Sequence, residues 1–126
     1  MDRVERLAAD LHHTWVQQRE QKPCLVDDGR GGHVDLTSTA FAALPAAWQA
    51  ENRAAARAAL RAVEATADVS DPAQRIEAVA ALVHDDWVQR NAWRGVSDDL
   101  LVAYEQLSEQ ERDKDRTIAR LALGCD

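Results

Sequence analysis

The fold is decided by a pattern that occurs twice, in VERLAADLHHTWVQ at residues 4–17 and in the similar stretch IEAVAALVHDDWVQ at residues 76–89. In both copies, apolar side chains recur three, four, seven and eleven residues after the first one. This spacing places them along one face of an α-helix. Each copy therefore predicts an amphipathic helix whose apolar stripe ends in tryptophan, Trp15 in the first copy and Trp87 in the second.

A second stretch also occurs twice, as FAALPAAWQAENRAAARAAL at residues 41–60 and as YEQLSEQERDKDRTIARLAL at residues 104–123. Phe41 corresponds to Tyr104, and Asn52-Arg53 corresponds to Asp115-Arg116. The first copy is rich in alanine and the second in glutamate, glutamine and arginine, and all of these residues favour a helix. The second stretch thus predicts another pair of helices, one in each half of the chain.

Local signals fix where these helices begin. Asp71-Pro72 is typical of an N-cap followed by proline in the first turn. Ser108, with Glu111 three residues later, forms a capping box. We predict helices at residues 3–21, 45–67, 72–91 and 108–123. The fold class is then all-α, with two helix–loop–helix repeats, residues 1–67 and 70–126, packed by a pseudo-twofold into a single domain of residues 1–126.

The composition narrows the range of partners. The formal net charge of −7 argues against a nucleic-acid polymer or an anionic membrane, because both require a concentrated basic surface. No stretch approaches about 20 consecutive apolar residues, so we expect no membrane span. The first ten residues are charged and amphipathic and lack the apolar core of a secretory signal peptide. We expect a cytoplasmic protein in which Cys24 and Cys125 are reduced thiols.

Residues 91–116, NAWRGVSDDLLVAYEQLSEQERDKDR, carry a recognisable order of motifs. A loop tryptophan, Trp93, is followed by an apolar run that ends in Tyr104, then by Leu-Ser-Glu-Gln-Glu and a closing Asp115-Arg116. This order resembles the ryanodine-receptor (RyR) domain, and the match covers about residues 76–123. The first repeat resembles a diverged partner copy, as in small bacterial proteins similar to this domain. The loop of the second repeat lacks the lysine-histidine-proline segment that usually precedes the aromatic residue in this family, here Tyr104.

The resemblance implies a helical module that acts through contacts and brings no catalytic residues with it. We therefore expect a non-catalytic binding or sensor domain without a cofactor. The sequence also contains no nucleophile elbow, no phosphate-binding loop and no dinucleotide fingerprint. The charged stretch after Tyr104 is interpreted as the capped start of a helix that is mostly exposed to solvent, and not as part of an active site.

Two binding hypotheses remain open. In the first, a small anionic, nucleotide-like ligand is recognised, because guanidinium groups suit phosphate and aromatic faces suit a flat base. In the second, the chain is a protein–protein interaction adaptor whose arginines lie in salt bridges, and a homodimer is one option. The candidate ligand-binding residues are Trp48, Arg53, Trp93, Tyr104 and Arg116.

Two histidines raise the alternative of a metal site. His12 and His84 occupy equivalent positions in the two repeats, with Asp85 and Asp86 beside His84. A metal site would need further ligands converging on one ion, and the spacing supplies no obvious third ligand. We expect hydrogen-bonded or exposed histidines and no metal.

Overall fold

Helices make up most of the chain, as the sequence predicts. The computed structural model describes residues 2–20 and 22–124. Within these ranges the α-helices are α1 (Arg3–Gln18), α2 (Ala46–Ala65), α3 (Pro72–Asn91) and α4 (Glu109–Leu123). The all-α class is confirmed, and the observed helices begin within one residue of the predicted starts.

The helix starts are stabilised by side chains that accept hydrogen bonds from otherwise unpaired backbone amides. Asp2 Oδ1 accepts from the amide of Glu5 at 2.8 Å and so caps α1. Asp71 caps α3 by accepting from the amide of Gln74 at 2.9 Å. Ser108 caps α4 in the same way, with Glu111 as the donor. The predicted caps of α3 and α4 are therefore confirmed.

A small β-hairpin, which the sequence analysis did not predict, follows α1. Strand β1 (Leu25–Asp27) pairs antiparallel with β2 (His33–Asp35), and Val26 lies opposite Val34. The connecting loop includes Gly29 and Gly31, both with positive φ. This conformation suits glycine because it has no Cβ.

Two compact units are distinguished by their internal contacts, residues 1–56 and residues 57–126. The N-terminal unit contains α1, the hairpin and the first half of α2. The C-terminal unit contains the rest of α2 together with α3 and α4, and α3 packs against α4. The division falls within α2, whereas the predicted repeats meet at residues 67–70. These repeat boundaries and the pseudo-twofold packing stay predictions.

Short 3-10 turns lead into α2 and α4 in the same way. The turn Phe41–Ala43 precedes Leu44, and the turn Tyr104–Gln106 precedes Leu107. Both leucines adopt extended backbone conformations and are 5% exposed. Each leucine therefore anchors the start of its helix by burying an apolar side chain.

The buried core consists largely of small side chains. The apolar residues buried in the N-terminal unit are Leu7, Ala8, Leu11, Leu36, Leu44 and Ala56, and those in the C-terminal unit are Ala58, Ala59, Ala62, Val79, Ala80, Val83, Tyr104, Leu107, Ala119 and Ala122. Trp15 and Trp87, for which the apolar stripes favour core packing, are half-buried. Each ring stacks beside a buried histidine, His12 or His84.

No helix in the part of the chain that the structure describes has the length and apolar character needed to cross a membrane. Cys24 is a half-buried free thiol. The other predicted thiol, Cys125, lies outside the described residues.

Candidate functional site

Arg53 is held within the N-terminal unit by a carboxylate from α1. Its Nε donates to Glu5 Oε1 at 2.6 Å, and its Nη2 donates to Glu5 Oε2 at 3.3 Å. Nη2 also donates to Gln49 Oε1 at 3.2 Å. The guanidinium carbon lies 5.4 Å from the centre of the Phe41 ring, within cation–π range. Arg53 therefore connects α1, α2 and the 3-10 turn between them.

Arg116 has the corresponding position in the C-terminal unit. Its Nε donates to Glu77 Oε1 at 2.6 Å, and its Nη1 donates to Glu109. The Tyr104 hydroxyl donates to Glu77 Oε2 at 2.5 Å. Glu77 thus accepts from two of the three candidate binding residues of this unit, Tyr104 and Arg116. Glu5 and Glu77 are separated by the same 72 residues that separate the two copies of the α1 and α3 pattern.

These pairs shift the ionisation of their members. The hydrogen bond from Tyr104, followed by that from Arg116, lowers the pKa of Glu77. Burial, reinforced by the Glu77 carboxylate, raises the pKa of Tyr104 to about 12. Hydrogen bonds to Glu109 and Glu77 raise the pKa of Arg116. All three groups therefore keep their usual charge states near neutral pH, which suits a stable internal network.

His12 and His84 occupy equivalent buried positions and make equivalent bonds. His12 Nε2 lies 2.7 Å from the carbonyl oxygen of Thr39, and His84 Nε2 lies 2.7 Å from that of Val102. Because a carbonyl oxygen can only accept, Nε2 carries a proton in both rings. The prediction that these histidines are hydrogen-bonded is confirmed.

His84 differs from His12 in having an acidic neighbour. Its Nδ1 lies 3.5 Å from Asp115 Oδ2, and the two side chains are 5% and 15% exposed. Burial raises the pKa of Asp115 to about 7, although the neighbouring His84 acts in the opposite direction. In the N-terminal unit the matching position is Asn52, whose Nδ2 donates to the carbonyl oxygen of Trp48 at 2.9 Å.

The two candidate tryptophans have different surroundings. Trp48 is half-buried in the first turn of α2. Trp93 follows α3 in the 3-10 turn Ala92–Arg94 and is 82% exposed. Its indole Nε1 donates to the carbonyl oxygen of Arg90 at 2.8 Å, which satisfies the polar atom of the ring within the chain. The apolar part of the Trp93 ring remains open to solvent.

A surface depression of about 360 Å³ lies in the N-terminal unit between α1 and the segment after the hairpin. Its lining includes His13 and Phe41, together with three successive hydroxyl residues, Thr37–Thr39. Those three hydroxyl groups donate to the side chain or carbonyl oxygen of Asp35. The depression therefore offers one aromatic wall and several hydroxyl oxygens that can still accept hydrogen bonds.

The five sequence-predicted residues are distributed over both units. Trp48 and Arg53 lie in the N-terminal unit, and Trp93, Tyr104 and Arg116 lie in the C-terminal unit. Glu77 brings Tyr104 and Arg116 together. Sequence reasoning missed the two glutamates that hold the arginines. Their shared position in the repeated pattern was the signal that could have found them.

Among the described residues, no group of three or more histidine, cysteine, aspartate or glutamate side chains is arranged to hold a metal ion. No match to the chain emerged from comparison with protein-family models, curated proteins or solved structures. The resemblance to the RyR domain stays a prediction that rests on the quoted residues.

Proposed function

We propose that the chain is a non-catalytic binding module that recognises a protein partner through the exposed face of α3 and the turn after it. The observation that supports this proposal is the exposure of Trp93 together with the internal hydrogen bond of its indole N–H. A partner can cover the ring without leaving a buried donor unpaired, which would otherwise cost binding free energy. Exposed tryptophans of this kind are common interface anchors.

The binding face extends along α3 from Trp93. Leu82, 41% exposed, shares one side of α3 with Asp85 and Gln89, three and seven residues further on, and Trp93 follows in the turn after the helix. Asp85 and Gln89 are exposed as well. We call these four residues, Leu82, Asp85, Gln89 and Trp93, the α3 face. Its ends are apolar and its middle is polar and acidic.

The negative charge of the chain favours a partner with a basic surface. Residues 57–126 contain 14 acidic and nine basic residues, a net charge of −5. Asp98 and Asp99, exposed in the segment after Trp93, add to the acidic character of this region. We therefore assign the α3 face to a basic protein surface that has an apolar pocket for Trp93.

A photo-crosslinking experiment tests this proposal. A photoreactive amino acid at Gln89 should capture one protein with a basic surface, whereas the same group at Gln110, exposed on α4, should not. Trp93→Ala should weaken binding of the captured protein at least tenfold, as expected for an interface anchor. Its free energy of unfolding should change by less than about 0.5 kcal/mol because the ring is exposed. Equal capture at both positions, unchanged affinity in Trp93→Ala, or capture of a second copy alone would refute the proposal.

A second candidate function is recognition of a small anionic ligand in the N-terminal unit. It is favoured by the depression that Phe41 lines and by the Arg53 guanidinium above that ring. The volume falls within the usual range of small-molecule pockets. Arg53 already donates to Glu5, so an anion would have to share the guanidinium with this carboxylate or displace it.

Thermal denaturation with mono-, di- and cyclic nucleotides and ADP-ribose tests the second candidate. A ligand that binds only the folded chain raises the Tm in a concentration-dependent manner. Arg53→Ala should remove this rise. Arg19→Ala is the matched control, because Arg19 also lies over an aromatic ring, that of Trp15, at 5.1 Å. Unchanged Tm values for every compound, or an equal loss of the rise in both variants, would count against a ligand at Arg53.

A further inference from the structure

Buried His84 and partly buried Asp115 together join three parts of the C-terminal unit. His84 lies on α3 and donates through Nε2 to the carbonyl oxygen of Val102, in the segment that leads to the Tyr104 turn. Asp115 lies on α4, with Oδ2 3.5 Å from His84 Nδ1. The ring of Trp87 stacks beside that of His84, with centroids 6.1 Å apart. The pair therefore connects α3, α4 and the segment between them.

The geometry allows only one kind of favourable contact between Nδ1 and the carboxyl group. Since Nε2 already carries a proton, Nδ1 of a neutral His84 ring has a lone pair and no hydrogen. A hydrogen bond to Asp115 then requires one more proton, either on Nδ1 or on the carboxyl oxygen. Without that proton, a lone pair faces a buried carboxylate, which is unfavourable.

We propose that His84 and Asp115 share one proton across the contact between α3 and α4 and so form a pH-sensitive clasp. The clasp is closed at weakly acidic pH and is weakened when the shared proton is lost as the pH rises through neutrality. The other charged groups that act on Asp115 are Glu111 and Lys114 on α4, which form an ion pair with each other at 3.1 Å.

The direction of the pH dependence follows from burial. The raised pKa of Asp115, about 7, means that the folded pair keeps its shared proton until the pH passes about 7. In the unfolded chain Asp115 loses its proton near the ordinary value of 3.8, but a free histidine holds one up to about pH 6.5. The folded pair therefore binds more protons only close to neutral pH, and there its stability falls as the pH rises.

The N-terminal unit shows that the fold does not require a carboxyl group at this position. Asn52 replaces the aspartate there, while His12 keeps the same bond to a backbone carbonyl oxygen. An amide has nearly the same shape as a protonated carboxyl group and does not titrate, and the Asn52 amide fits this position by donating to the carbonyl oxygen of Trp48. Asp115→Asn is therefore a variant that should keep the fold and remove the titration.

Urea denaturation of the full chain at several pH values tests the clasp. The unfolding equilibrium constant of the unsubstituted chain should rise about threefold between about pH 5.5 and about pH 8.5, because the folded pair holds its proton to a pH about half a unit higher than a free histidine does. In Asp115→Asn most of this rise should disappear. Asp113→Asn is the control, because it makes the same change at a side chain 62% exposed on the same helix and should keep the full rise. An equal pH dependence in the unsubstituted chain and in Asp115→Asn would overturn the proposal.

Nuclear magnetic resonance of the unsubstituted chain provides a readout that does not depend on a variant. The ¹⁵N shifts of His84 should identify a proton on Nε2 throughout, while the Nδ1 shift should change as Asp115 titrates near neutral pH. The Asp115 carboxyl carbon should titrate in the same range. A carboxyl carbon that titrates entirely below about pH 5, together with an Nδ1 that carries no proton above that pH, would overturn the proposal, because the shared proton would then be absent.

Discussion

Glu77 is the residue on which the C-terminal network depends, because it accepts from both Tyr104 and Arg116. Its counterpart, Glu5, accepts from Arg53, but Phe41 replaces the tyrosine and has no hydroxyl group to donate. The two units therefore hold equivalent arginines with different aromatic partners. In the C-terminal unit the aromatic residue contributes a hydrogen bond, and in the N-terminal unit it contributes a ring face.

Tyr104→Phe should lower the free energy of unfolding by about 1–2 kcal/mol, since it removes a hydrogen bond to a charged acceptor from a side chain that is 5% exposed. Urea denaturation measures the change. In a double-mutant cycle with Glu77→Gln, the two substitutions should cost less together than the sum of their separate effects. Additive costs would show that the hydroxyl and the carboxylate do not stabilise the fold through each other.

The sequence identified both arginines but not what they do. Their position in a repeated pattern predicted that Arg53 and Arg116 are equivalent, and the structure gives each a glutamate partner. The pairing itself could not be predicted, because Glu5 and Arg53 are 48 residues apart and a surface arginine has many acidic residues within reach. The exposure of Trp93 was also undecided, since a loop tryptophan can lie inside or outside a core.

At the level of elements, helix positions followed from local chemistry. The apolar period of 3.6 residues, together with Asp71 and Ser108 as caps, predicted where α3 and α4 begin. The hairpin after α1 was missed because its strands are only three residues long and offer too little alternation to recognise. Asp27 and Asp28 close the hairpin, since their side chains accept hydrogen bonds from the backbone amides of Gly29 and Arg30.

The packing of the helices was less predictable than their positions. The apolar stripes of α1 and α3 end in Trp15 and Trp87, a pattern that favours core packing of both rings, and in the structure both are half-buried. In the structure the fully buried positions belong to smaller residues, among them Leu7, Val79 and Ala80. Periodicity identifies the side of a helix that faces inward, but it does not show how far the neighbouring elements extend over that side.

For the molecule as a whole, the uneven distribution of charge predicts how a partner would associate. Residues 57–126 carry −5 of the net charge of −7 and include the α3 face. A basic partner should therefore be steered toward this unit at low ionic strength, and salt should screen the attraction over distances beyond about 10 Å. Raising the salt concentration from about 50 mM to about 300 mM should slow association with the captured protein on the order of tenfold.

Stopped-flow measurements of association and dissociation test this expectation with the protein captured at Gln89. The dissociation rate should change much less than the association rate, because long-range attraction acts mainly before contact. Asp85→Asn, on the α3 face, should slow association and reduce its salt dependence. Glu20→Gln is the control, since it removes an exposed charge from the N-terminal unit and should have little effect. An association rate that does not respond to salt would show that the partner is not chosen by charge, and the assignment of a basic surface to the α3 face would fail even if Trp93 proved essential for binding.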